Sequence, residues 1–336
     1  MTYPPLAEVL ANYGLTGALE EALQTDGWSG ARMTRLRRDD GAAFVVKRDG
    51  LRLDWIARET GDVPEMREAA LADAAPRLPA PVRLPHLGVG ADDDLVGLVM
   101  PDLTDVLLRW EAPVTEAQMD RVLDALAALH REPWQRELPP TFPWTDLRRR
   151  VLLLTRRAAA RYEAAGNPVG RRFLDGWGAF DRHAPGAARA LVDGLTADPE
   201  PLFAALGRLP DVGLHGDLKL GNVGLEPDGT VWLIDWQMTL VAPVAVELGW
   251  FLVCNVAGLP VPADDVLEHY RKAAGLPDDD RWAAQRDLAL VVGLVLRGWR
   301  KGLDADAGLV TACGSTAKDD LAWWGREAAA AARRRL

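Results

Sequence analysis

The chain has 336 residues, 49% of them hydrophobic and 26% charged, so a sizeable core is available and a disordered or fibrous protein is excluded. With 39 basic and 49 acidic side chains the net charge is −10, which argues against a general nucleic-acid binder and fits a soluble protein. Only five lysines stand among 34 arginines, which makes each lysine a position to account for.

Met1 to Leu10 has neither the basic segment nor the apolar run of a signal peptide. Residues 5–24 carry apolar residues at helical spacing, interrupted at Gly14. From Gly27 the texture changes. Gly27, Ser29 and Gly30 make a turn, Met33 to Leu36 alternate like a strand, and Asp39-Asp40-Gly41 is a hairpin signal before the strand Ala43-Phe44-Val45-Val46-Lys47. Residues 64–75 read as a helix with Pro64 in its first turn. Prolines 76, 79, 81 and 85 mark a loop, and two strands follow near 86–90 and 95–100. Beyond Pro101 the pattern becomes helical. Thr115 is a plausible N-cap for an amphipathic helix over 115–131, and helical patterns recur near 145–164, 168–182, 198–207, 244–257, 263–274, 280–301 and 317–334. The exception is 212–236, a loop followed by a hairpin around Pro227-Asp228-Gly229. The Ala/Arg-rich tail, Ala328 to Arg335, reads as a solvated helix end. Cys254 and Cys313 form no metal spacing or disulfide framework, and the apolar stretch Leu288 to Leu296 is too short to span a bilayer. The expected setting is cytoplasmic and reducing, with no membrane and no nucleic-acid partner.

The most informative segment is Leu214-His215-Gly216-Asp217-Leu218-Lys219-Leu220-Gly221-Asn222-Val223, followed by Leu233-Ile234-Asp235-Trp236. His215, Asp217, Asn222 and Asp235 resemble, in type and spacing, the H-G-D-x-x-x-x-N…I-D signature of the aminoglycoside phosphotransferase and choline kinase superfamily. The phosphoryl transfer that this resemblance implies requires an oriented acceptor hydroxyl and neutralised phosphate charge. A loop carboxylate can take the hydroxyl proton, and an amide oxygen with a second carboxylate can hold Mg2+, a hard cation. The resemblance implies an α+β, bilobal protein-kinase-like fold, with a small β-rich N-lobe over 1–103 and a larger, mainly helical C-lobe over 104–336. It further implies ATP (or GTP) and Mg2+, with Asp217 as catalytic base, Asn222 and Asp235 as metal ligands, and His215 stabilising the loop by hydrogen bonding. Lys219, two residues after Asp217, is where an ammonium can neutralise the transferring phosphate.

The segment Asp26-Gly27-Trp28-Ser29-Gly30-Ala31-Arg32 resembles the G-x-S-G-A nucleotide loop of the same family, in which small residues at Ser29 and Gly30 let backbone N–H groups approach phosphate. Lys47 ends the next strand, like the lysine that contacts the α/β-phosphates. Its carboxylate partner is expected to be Glu68, with Glu65 and Glu59 as alternatives. Met100 is expected against the adenine, and backbone groups near Asp102 and Leu103 at the base edge. His130 reads as structural, Glu247 as a helix-start residue that bonds the catalytic loop, and His86, His183 and His269 as structural by default.

Other features narrow the acceptor. Gly216 stands where protein kinases carry Arg, Trp236-Gln237 replaces Phe-Gly, and only eleven residues separate Asp235 from Glu247. A protein kinase is therefore disfavoured and a small-molecule alcohol favoured: an amino sugar or aminoglycoside-like ring, a sugar, a choline-like amino alcohol or a homoserine-like metabolite. The basic end, Arg333-Arg334-Arg335-Leu336, differs from the acidic tail with which some relatives bind cationic rings. Trp144, Asp146, Trp250, Trp282, Trp299, Trp323 and Trp324 are candidates for the acceptor side. A nucleotide-binding pseudoenzyme is the competing reading, and a monomer or homodimer is expected.

Overall fold

In the computed structural model, which describes residues 3–23, 28–109 and 112–336, the chain opens with helix α1 (Leu6–Asn12) and then enters an antiparallel sheet. Strands β1 (Leu19–Leu23), β2 (Arg32–Arg37) and β3 (Ala43–Asp49) are followed by helices α2 (Trp55–Thr60) and α3 (Arg67–Ala74) and the short strand β4 (Val82–Arg83). Strands β5 (Gly88–Asp92) and β6 (Leu95–Pro101) complete a sheet in the order β1-β2-β3-β6-β5. The Asp39-Asp40-Gly41 hairpin forms between β2 and β3, with Gly41 at φ +87°.

Residues 19–23 are a strand and not part of the N-terminal helix. Leu19-Glu20-Glu21-Ala22-Leu23 favours a helix by composition, but its ladder to β2 overrides that weak preference. Helix α2 was not legible because it is short, and depends on Asp54 accepting from the Ala57 N–H. Register fixes the faces of β3: Val45 lies opposite Met100, Lys47 opposite Leu98, and Asp49 opposite Val96. These residues share one face by the two-residue strand period. On it Met66 and Ala69 of the α3 segment pack against Val96 and Leu98, while α1 packs Leu6 and Val9 against Val46 and Val99 on the other.

The rest of the chain is mainly helical. It comprises α4 (Glu116–Arg131), α5 (Leu147–Leu152), α6 (Arg156–Ala164), α7 (Pro168–His183), α8 (Gly186–Ala197) and α9 (Glu200–Leu206). Then come strands β7 (Asp211–Leu214), β8 (Val223–Leu225), β9 (Val231–Leu233) and β10 (Leu240–Pro243). Helices α10 (Val244–Asn255), α11 (Ala263–Ala273), α12 (Asp280–Asp306) and α13 (Ala317–Arg335) close the fold. Thr115 caps α4 through a reciprocal pair with Gln118. Helix α8, not anticipated from the sequence, buries Ala188, Val192 and Leu195 on one face, although glycines at 186 and 194 weaken its helical signal.

The tail is not solvated. Ala328, Ala331 and Ala332 are buried, and Arg334 and Arg335 both bond Asp287 on α12. The alanines are there because α13 packs closely on α8 and α12. Among the described residues no helix is long and apolar enough to cross a membrane.

Two connections place the chemistry between sheet and helices. β4 pairs in parallel with β9, tying the segment after α3 to the strand that precedes Asp235. β7 pairs with β10, so the loop after Leu214 leaves from a buried two-stranded ladder beside α10.

Candidate active site

Lys47 is 5% exposed and lies between three carboxylates. Its Nζ is 2.6 Å from Glu68 Oε2, 2.9 Å from Asp235 Oδ1 and 3.9 Å from Asp49 Oδ2. Burial alone would lower the ammonium's pKa; the charges of Asp235, Glu68 and Asp49 outweigh it and hold Lys47 well above the usual lysine value. Burial would likewise raise Glu68, but Lys47 and then His86 hold its carboxyl far below the usual glutamate range. Glu65 and Glu59 take no part in this pair. Glu59 bonds Arg161, and the Tyr3 hydroxyl donates to the Glu65 carbonyl. Glu68 also accepts from the Trp236 N–H (3.2 Å), and His86 Nε2 stands 3.1 Å from its Oε1. The neighbouring Arg67, fully buried, donates to the Gln237 carbonyl (2.6 Å) and to Pro143. Helix α3 is thus tied directly to the residues after Asp235.

Asp235 has φ +66°, a left-handed conformation uncommon outside glycine and often found where a side chain must be aimed. Across from it, Asp217 Oδ2 accepts from Lys219 Nζ (3.1 Å) and Asn222 Nδ2 (3.3 Å). Asp217 Oδ1 has no hydrogen-bond donor among the described residues. Burial would raise the Asp217 pKa, but Lys219 and Arg150 bring it below the usual aspartate value, so the carboxylate stays ionised at neutral pH.

The loop carrying Asp217 is held by backbone. His215 Nε2 donates to the Ile234 carbonyl (2.9 Å), and its Nδ1 accepts from the Asp217 N–H (3.2 Å). Both ring nitrogens are engaged, which gives His215 a positioning part and leaves neither for proton transfer. Glu247, fully buried, accepts from the His215 and Gly216 N–H groups (2.8 Å each) and from His130 (3.3 Å). Gly216 has φ +85°, and a Cβ there would lie 1.9 Å from the Met238 carbonyl oxygen, so only glycine fits.

Both amide hydrogens of Asn222 go to Asp217, one to the carbonyl (2.9 Å) and one to Oδ2. That leaves Asn222 Oδ1 without a donor, and Asp235 Oδ2 is likewise free, among the described residues. These hard oxygens suit Mg2+, which typically takes one or two protein ligands and completes its shell with phosphate and water. No cluster of three or more His, Cys, Asp or Glu side chains forms a metal site among the described residues.

In the loop before β2, the Ser29 hydroxyl accepts from the Ala31 N–H (3.3 Å), and the Ser29 carbonyl accepts from Trp55 N–H (3.2 Å). Gly30 has φ +104°, and a Cβ there would meet the Leu53 carbonyl at 2.4 Å. Asp26 and Gly27 of this loop lie outside the described residues. Met100 is buried at the end of the Lys47 face. Asp102 is engaged elsewhere: its N–H donates to the Ala43 carbonyl (3.1 Å), and its carboxylate accepts from Arg35 (2.7 Å). The open backbone donor at the hinge is therefore Leu103, whose N–H has no partner among the described residues.

Two acidic residues escaped the sequence reading. Burial pushes Asp49 up to about 6 and, with the charge of Asp49 added, Asp54 up to about 7. Asp54 Oδ1 caps α2, while its Oδ2 is buried with no partner among the described residues. The folded state binds a proton that the unfolded state, near the ordinary 3.8, has already released, so stability falls as pH rises from about 4 to about 7. Asp54→Asn keeps the cap and removes the charge. Thermal melts from pH 4 to 8 are expected to show it more stable than the parent at pH 8 and flatter through that window; an unchanged slope would contradict the assignment.

The tryptophan candidates divide. Trp324 and Trp282 are core residues, one donating to the Leu290 carbonyl and the other stacked on Tyr270. Trp144 packs on Phe142, Trp323 packs edge-on against Trp324, and Asp146 caps α5. Trp250 and Trp299 lie with Arg150 and Arg297 beside the Asp217 loop.

A lysine on the sheet paired with a glutamate on the helix packed against it, facing an Asp/Asn loop, defines a kinase-like fold. The sequence pattern of the phosphotransferase enzyme family (APH) matches residues 25–285, and the chain belongs to that family. Among solved structures it is similar to the aminoglycoside phosphotransferase APH(3'')-Id from Streptomyces rimosus, at 19% identity over 87% of this chain and 97% of that one, with a TM-score of 0.50. It is also similar to the amicoumacin kinase hAmiN in complex with AMP-PNP, Ca2+ and Ami, at 15% identity over 96% and 92% of the two chains, with a TM-score of 0.50. At these identities the likeness is one of fold. No curated protein sequence matches the chain.

Proposed function

We propose that this protein transfers the terminal phosphoryl group of ATP (or GTP) to a hydroxyl group of a small molecule. The observation that carries this reading is the joining of Lys47 to both Glu68 and Asp235, with Asp217 Oδ1, which has no donor among the described residues, on the adjoining loop. In the reaction the bond from the γ-phosphorus to the β–γ bridging oxygen breaks, and a bond from the acceptor oxygen to phosphorus forms. The acceptor's proton passes to Asp217, and the nucleoside diphosphate leaves.

Each residue has a part. Lys47 binds phosphate oxygens and Glu68 fixes its position. Ser29 and Gly30 present the loop to the phosphates, and Met100 and the Leu103 N–H meet the base. Lys219 places positive charge beside Asp217, where the transferred group acquires its new bond. Asn222 Oδ1 and Asp235 would hold Mg2+, which when bound neutralises phosphate charge. His215 and Glu247 hold the loop rigid.

Titration calorimetry with a non-hydrolysable triphosphate tests the donor half. Binding that requires Mg2+ is expected, and loss of that requirement in Asn222→Ala. An affinity indifferent to Mg2+ would contradict the assignment of Asn222 and Asp235.

A further inference from the structure

A second set of side chains surrounds the Asp217 loop, and it is cationic in an acidic protein. Arg150, 1% exposed, donates from Nε to the Gly216 carbonyl (2.8 Å), and its guanidinium lies 4.2 Å over the Trp250 ring. Both of its terminal nitrogens are buried without a partner among the described residues. Arg297 approaches the same ring at 5.4 Å; its Nη1 bonds Cys254 Sγ (2.7 Å), and its Nε is buried and unpartnered. The 27-residue helix α12 loses helical geometry at Arg297 alone (φ −143°, ψ 20°). Such breaks in a helix have local causes and are frequent at functional positions.

The indole N–H groups of Trp250 and Trp299 are also buried without acceptors among the described residues. Farther out, Arg172 is exposed over the Trp28 ring (4.2 Å), which lies 6.2 Å from the ring of Trp299. The nearby carboxylates are already engaged: Asp217 with Lys219 and Asn222, Glu247 with the loop N–H groups and His130, and Asp304 with Arg300. Arg150, Arg172 and Arg297 have no carboxylate partner among the described residues.

Hydrogen-bond donors are therefore in surplus. Burying guanidinium nitrogens without an acceptor is costly, and a bidentate carboxylate or phosphate is the ligand that satisfies them. We propose that the acceptor is a hydroxy compound bearing an anionic oxygen group, carboxylate or phosphate, held by Arg150 and Arg297 beside Trp250 while its hydroxyl meets Asp217. This rests on the phosphotransferase reading above and names its substrate class. A polycationic aminoglycoside ring would instead meet like charge.

The test pairs acceptors that differ only in charge: hydroxy acids with their methyl esters, sugar phosphates with the parent sugars, and aminoglycosides as a cationic arm. ADP release is expected to favour the anionic member at least about tenfold in kcat/KM, and the two anionic arms separate carboxylate from phosphate. Arg297→Gln is expected to raise the acceptor KM by about 10- to 100-fold with the ATP KM unmoved, and Arg297→Lys to recover part of the loss. Independently, malonate and inorganic phosphate titrated onto the Mg–ADP complex are expected to raise the Tm of the parent but not of Arg297→Gln. Preference for neutral or cationic acceptors, or equal stabilisation of parent and variant, overturns the inference and leaves the phosphotransferase reading standing. Failure of the parent to bind Mg-nucleotide at all overturns both.

Discussion

Replacing Asp217 by Asn is expected to lower phosphoryl-transfer turnover by about 100- to 10,000-fold, the usual contribution of a positioned general base. The substitution keeps the shape of the side chain and replaces the basic carboxylate with an amide that cannot take the hydroxyl proton. Nucleotide affinity is expected to stay close to that of the parent, because Lys47, Glu68 and Asp235 are untouched. Since Lys219 and Arg150 hold the Asp217 carboxyl below the usual aspartate value, the parent's rate is not expected to fall at mildly acid pH for want of the base. Steady-state kinetics of Asp217→Asn beside a nucleotide titration checks this. Turnover within about threefold of the parent would remove Asp217 from the chemical step.

Lys47→Met is expected to damage both stability and catalysis. It leaves Glu68 buried opposite Asp49 and Asp235 with no ammonium among them, and breaking a buried pair from one side costs about 3–5 kcal/mol. Turnover is expected to fall at least about a hundredfold with the loss of a preorganised positive charge. The pH dependence supplies a sharper check. In the parent, the depressed Glu68 contributes stability above the ordinary glutamate range, and that stability is lost on acidification. Without Lys47, only His86 and the Trp236 N–H oppose burial at Glu68, its pKa is expected to rise, and its stabilising contribution is expected to shrink or change sign as pH increases. Denaturant melts across pH 3 to 8 are expected to show stability falling more steeply with rising pH in the variant than in the parent. Parallel profiles for parent and variant would mean that Lys47 does not control Glu68.

Much of this architecture was legible because local and global preferences agree. The β2–β3 hairpin carries its turn chemistry at Asp39-Asp40-Gly41, and α4 carries its capping box at Thr115 and Gln118. The core of the site was legible for a different reason: His215, Asp217, Asn222 and Asp235 are close in sequence, and one hairpin brings them together. Lys47 and Glu68 follow from the strand β3 and the second helix after it, α3.

What escaped depends on distant juxtaposition. His86 meets Glu68, Arg67 reaches Gln237, and Arg150 reaches Gly216 across 66 positions, and no spacing rule announces such contacts. Asp49 was within reach, since the strand period puts it on the same face as Lys47. Arg297 also left a trace, as the first charge after the apolar run that ends at Leu296. Strand β1 was misread because tertiary pairing outweighed its helical composition, and the C-terminal alanines because small side chains signal close packing as readily as solvation.

The arginine excess seen at the outset thus has local structure. Lysine stands where a compact charge meets Glu68 and Asp217, and arginine where planar donors gather around Trp250.

The most direct measurement follows the phosphoryl group itself. Purified protein is incubated with Mg2+, ATP labelled on its γ-phosphate and a small-molecule extract, and the label is then located. Label recovered in a small-molecule phosphate ester, absent with Asp217→Asn, is the expected result. Label found only in protein, only in inorganic phosphate, or still in ATP would contradict it.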